Sequence, residues 1–118
     1  MKIEIELDIT NEMVNNILTD AFETDAISYW VYEFHKPQRD KDLNVVEFEI
    51  VEDNENDEDT KKKYVINRDT VFEGIRKLFS KDFQISKRIK NQILNNDIDA
   101  EGTDCIIQAG LFGEIIYS

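Results

Sequence analysis

Hydrophobic and polar residues alternate through the opening stretch "MKIEIELDIT". Ile3, Ile5, Leu7 and Ile9 share one face, and Lys2, Glu4, Glu6 and Asp8 share the other, so residues 2–9 read as a strand. The period then changes. Val14, Ile17, Leu18, Ala21 and Phe22 fall on one helical stripe, and Thr10 or Asn11 can cap its start by accepting from free N–H groups. "AISYWVYEF" is β-branched and aromatic, which predicts a strand with large side chains on both faces. The polar stretch "HKPQRDKD" holds the sole proline and predicts a loop.

"LNVVEFEIVE" alternates Val46, Phe48 and Ile50 against Glu47 and Glu49, a further strand. "DNENDEDTKKK" has no apolar side chain to bury and predicts a mobile acidic loop at about 52–60, from which "YVI" returns as a strand. Thr70 and Glu73 stand at capping-box spacing before the stripe Val71, Ile75, Leu78 and Phe79. Residues 80–96 predict a second helix, with Ile85, Ile89 and Ile93 four apart. A third helix is expected over roughly 100–112, closed by Gly113 in a left-handed cap, with "EIIYS" as a last strand inside the sheet. The whole predicts one α+β domain over residues 1–118, in the order βαβββαααβ. Its sheet is expected to be mixed or antiparallel, of about five strands, with helices on one face.

Charge changes this picture. The net charge is −12, which opposes direct nucleic-acid binding, since that needs cations facing phosphates. The charge is uneven. Between Lys61 and Lys90 ten Lys and Arg face three acids, about +7, whereas the remaining residues carry four basic and 23 acidic side chains, or −19. A run of this kind is either a solvated face or a site. As a site, Arg76, Lys77, Lys87, Arg88 and Lys90 would grip phosphate or an acidic surface.

Candidate chemistry is sparse. The single His35 and single Cys105 cannot fill a tetrahedral zinc site or form a disulfide. No complete catalytic motif, phosphate-cradling glycine loop or cofactor signature is present, so a non-catalytic protein without cofactor is expected. The calcium-like spacing of Asp97, Asp99, Glu101 and Gly102 fails at Gln108, where a bidentate carboxylate is required. Asp99 to Asp104 are better read as acceptors for the start of the last helix. Trp30, Tyr32, Phe34 and His35 form either core or a flat surface for stacking a base. Gln108 and Glu114 are polar exceptions in an apolar stretch, and if buried each needs a partner. No apolar run approaches a membrane span or a signal peptide, and a cytoplasmic location is expected.

The elements "FETDAISYW" (22–30), "EGIRKLF" (73–79) and "DAEGTDCIIQAGLFGEIIYS" (99–118) resemble those of small uncharacterised phage, prophage and mobile-element proteins. Members of that group carry Glu-Gly-Gly before a Tyr-Trp strand and Phe-Gly-Glu-aliphatic-aliphatic-Tyr at the end. Thr24 and Asp25 stand here in place of the Gly-Gly pair, and Ser118 in place of a terminal Gly. The resemblance implies a bacterial host cell and an accessory role, often against host defence.

Four functions are weighed, of which an enzyme has the least support, because no nucleophile–base pair is legible. The first is sequestration of a phosphorylated nucleotide signal by Trp30, Tyr32, His35, Arg76, Lys77, Lys87, Arg88 and Gln108, at the interface of a homodimer or higher homo-oligomer. The alternative is an acidic nucleic-acid mimic that inhibits a DNA- or RNA-binding defence protein through Glu52, Asp53, Glu55, Asp57, Glu58 and Asp59. A phage assembly or interaction protein is the further alternative.

Overall fold

The computed structural model describes residues 8–52, 62–81 and 83–118. Helix α1 (Asn11–Glu23) begins where Thr10 accepts from the Met13 N–H, and it buries Val14, Ile17, Leu18 and Ala21. Three strands follow, β1 (Val31–Arg39), β2 (Val45–Glu52) and β3 (Lys63–Asn67), in the antiparallel order β1-β2-β3. Then come α2 (Arg68–Leu78), α3 (Lys87–Leu94) and α4 (Ala100–Phe112).

Among the described residues the sheet has one covered face. Phe34 pairs with Ile50, Ile50 with Tyr64, and Phe48 with Ile66. Phe48, Ile50 and Ile66 are completely buried beneath the helices. Phe22 of α1 meets Phe48 and Phe34 edge-on. His35, Glu49 and Val65 line up across the other face and are partly or fully exposed. The expected α+β class therefore holds, with three strands among the described residues in place of about five.

Several expectations change. Residues 2–7 of the first predicted strand lie outside the described residues, and so do 53–60 of the predicted acidic loop. The strand predicted at 26–34 begins only at Val31, because the Trp30 N–H closes a turn on the Ile27 carbonyl and turns the indole into the core. The predicted loop "HKPQRDKD" is strand as far as Arg39. Pro37 is accommodated on an edge strand, where the pairing to β2 shifts between His35 and Gln38. The capping box is one turn earlier than predicted. Asn67 accepts from Asp69 and Thr70, and the Thr70 hydroxyl accepts from the Asn67 N–H. The predicted helix over 80–96 contracts to α3, because Ser86 caps the Ile89 N–H and starts the helix there. Residues 114–118 join no strand among the described residues, and their backbone is held by a side chain of α4 instead.

Helices α2 and α4 run antiparallel in unusually close contact. A Cβ on Gly74 would overlap the Ile106 carbonyl, and a Cβ on Gly110 would overlap the Thr70 carbonyl. Only glycine at both positions lets the backbones approach this far. The result fixes α4 against the body of the molecule, and α4 carries the polar cluster described next.

Candidate functional site

Asp99 starts α4 by accepting from the Gly102 N–H at 2.9 Å, and Gly113 closes it in the left-handed conformation at φ 73°. These are the predicted start and end. Within this apolar helix, Asp104 and Gln108 stand four residues apart and therefore share a face. Both are buried, at 8% and 0% exposure.

Asp104 is held by three neutral donors. The Trp30 indole N–H reaches Oδ1 at 2.8 Å, the Gln108 Nε2 reaches Oδ1 at 2.9 Å, and the Tyr29 hydroxyl reaches Oδ2 at 2.5 Å. Asp104 thus serves side chains from the loop before β1, not the helix start that the sequence suggested. No cation among the described residues pairs with it.

Gln108 faces the other way as well. Its Oε1 accepts from the Ile116 N–H at 2.9 Å and the Tyr117 N–H at 2.8 Å, while Nε2 donates to the Tyr117 carbonyl at 3.0 Å. One side-chain amide thereby replaces a neighbouring strand for the last segment. That segment brings the Tyr117 ring onto Trp30, stacked at 5.4 Å, with Phe112 edge-on to both. The Tyr117 hydroxyl donates to Glu52 at 2.7 Å.

Beside this cluster lies a cavity of about 520 Å³. Asp25, Ala26 and Tyr29 form one wall, Ala100, Glu101, Asp104 and Cys105 of α4 the second, and Ile115, Tyr117 and Ser118 the third. Asp25, Ala100 and Glu101 are exposed at its rim. Burial, and then the Asp104 carboxylate that it donates to, pushes the Tyr29 hydroxyl well above its ordinary value. Burial and the charge of Asp104 push the Cys105 thiol up to about 11. Both groups therefore stay protonated at neutral pH, which makes the thiol a poor nucleophile.

Of the expected ligand residues, the structure brings Trp30 and Gln108 together, as the frame beneath the cavity. Tyr32 is 54% exposed on β1. His35, also on β1, meets Glu33 at 2.6 Å on the open side of the sheet. Arg76 is engaged with Glu73 of its own helix at 2.5 Å, and Lys77 follows it, half-buried. Lys87 is exposed at the start of α3, and Arg88 forms ion pairs with Asp99 and Glu101, so it alone of these cations reaches the cavity rim. The alternative mimic surface also changes. Glu52 is buried under Tyr117, and Asp53, Glu55, Asp57, Glu58 and Asp59 lie outside the described residues.

Sequence reasoning missed the joint role of Tyr29, Asp104 and Tyr117. The Asp–Gln pair at four-residue spacing inside an apolar helix was the available signal. Among the described residues, no three His, Cys, Asp or Glu side chains converge to hold a metal ion, and no helix is long and apolar enough to cross a membrane. No family model, curated protein or solved structure matches this chain.

Proposed function

We propose that this chain is a non-catalytic binding protein of the phage-accessory kind, acting in a bacterial host cell, and that the Tyr29–Asp104 cavity is its binding site. The observation that carries this reading is a partly apolar concavity in which the Tyr29 hydroxyl and the Asp104 carboxylate are already fixed by one another. Such pre-organisation lowers the entropy cost of binding. The raised Cys105 thiol is a poor nucleophile at neutral pH.

Its carboxylates also reorder the ligand classes. Asp25 and Asp104 in the lining have no ion-pair partner among the described residues, so they oppose a phosphate and favour positive charge, whereas Glu101 is paired with Arg88. An acidic inhibitor of a nucleic-acid-binding defence protein is therefore the leading reading, with its contact surface at this cavity and not only in the stretch after Glu52. Sequestration of a phosphorylated nucleotide is the second reading. Arg88 at the rim, beside Lys87, favours it, because a base stacked in the cavity would direct its phosphate there.

Titration calorimetry with basic peptides and with cyclic nucleotides tests both, using Ala100→Trp as a plug. Ala100 is exposed at the rim, and the larger side chain fills the cavity without removing a hydrogen bond. Binding abolished by the plug is expected, and binding that ignores the plug would remove the cavity from consideration.

A further inference from the structure

A buried carboxylate is normally neutralised by a cation or a metal, because hydrogen bonds from neutral groups leave the net charge in place. Asp104 departs from that rule. It is 8% exposed, accepts from Tyr29, Trp30 and Gln108, and has no cationic partner among the described residues. Its three donors are all neutral, so none of them offsets the charge of the carboxylate at the wall of the cavity. Asp25 adds a second carboxylate to the lining, likewise without an ion-pair partner among the described residues.

Resting on the reading of this cavity as a binding site, we infer that it receives the guanidinium of an arginine side chain presented by a partner protein. Four features select that occupant. Among the described residues no three potential ligands converge to hold a metal ion, so the lining carboxylates suit an extended organic cation better. The planar guanidinium has five donors for several separate acceptors and sheds water more readily than an ammonium. The Tyr29 ring supplies an aromatic surface of the kind on which guanidinium groups stack. The rim already accepts such a group, since Arg88 lies against Glu101 and Asp99 there. A net charge of −12 attracts a basic partner and raises the rate of encounter.

The test is calorimetric titration of the whole chain with a short Arg-Gly repeat peptide, its Lys-Gly counterpart, free arginine amide and a cyclic-nucleotide panel. Fluorescence of Trp30, the single tryptophan, gives a second readout. The Arg-Gly peptide is expected to bind more tightly than the Lys-Gly peptide and to change the Trp30 emission. Free arginine amide should bind the same site more weakly. Asp104→Asn should weaken peptide binding by about tenfold or more. Because that variant removes a buried charge from a packed cluster, Asp25→Asn and Glu101→Gln at the exposed rim serve alongside it, and together they should produce a loss of similar order. Ala100→Trp should abolish binding.

Equal affinity for the lysine and arginine peptides, or indifference to the rim variants, would overturn the arginine assignment. Nucleotide binding blocked by the plug, with no peptide binding, would also overturn it while leaving the cavity as the binding site. Absence of plug-sensitive binding in every arm would overturn both.

Discussion

The inner flank of α4 and the open face of the sheet are both furnished with polar side chains, but they use them differently. On the sheet, Glu33 meets His35 at 2.6 Å and Lys36 meets Glu49 at 3.7 Å, in contact with water. Exposed pairs of this kind contribute about 0–1 kcal/mol, because water screens them and two long side chains must be ordered. On α4, Asp104 and Gln108 are buried and held between Trp30, Tyr29 and the last segment, and no buried side-chain polar atom among the described residues lacks a partner. Each lost contact there strands a desolvated group, at a cost of about 1–3 kcal/mol. Polar side chains are therefore decorative in one place and structural in the other, and burial makes the difference.

Three substitutions sharpen that contrast. The largest effect is expected where α4 meets α2. Gly110→Ala pushes a methyl into the Thr70 carbonyl and should destabilise the fold by about 3 kcal/mol or more, read from the urea midpoint. A midpoint equal to that of the parent would mean that the helices separate freely.

Gln108→Leu comes next. It keeps the apolar bulk but strands the N–H groups of Ile116 and Tyr117, the Tyr117 carbonyl and one lone pair of Asp104. Water can reach part of the last segment, so about 2–3 kcal/mol is expected, with faster hydrogen exchange at the Ile116 and Tyr117 amides. Unchanged exchange there would show that the segment is held by its side chains alone.

The smallest effect belongs to the sheet. Glu49→Gln removes the partner of Lys36 and should shift stability by no more than about 0.5 kcal/mol, less at high salt. A loss as large as that of Gln108→Leu would erase the distinction between the two regions.

What the sequence revealed follows the range of the interactions involved. The α1 stripe, both ends of α4 and the strands around Phe48 and Ile66 depend on neighbours within a few residues, and periodicity and capping chemistry show them directly. Residues 26–30 have the composition of a strand, yet their conformation is set by an indole and a phenol seeking a carboxylate some 75 residues later. Nothing local announces that pairing. Gln108 was legible as a polar residue in need of a partner, and the partner proved to be the backbone of "EIIYS", which for that reason stays out of the sheet. The cationic run from Lys61 to Lys90 was legible as charge but not as place. Its members disperse to Glu73, Asn11, Glu101 and the Phe79 ring.

The two glycine contacts between α2 and α4 have a mechanical consequence. Gly74 sits opposite Ile106 and Gly110 opposite Thr70, so each helix supplies one notch and one protruding carbonyl, a single turn apart. Such reciprocal teeth forbid sliding in either direction, because any axial slip drives both carbonyls out of their notches at once. The placement of α4, which forms one wall of the hollow beside Asp104, therefore depends on residues that never line it. A variant that loosens the gear between the helices would shift that wall without touching it.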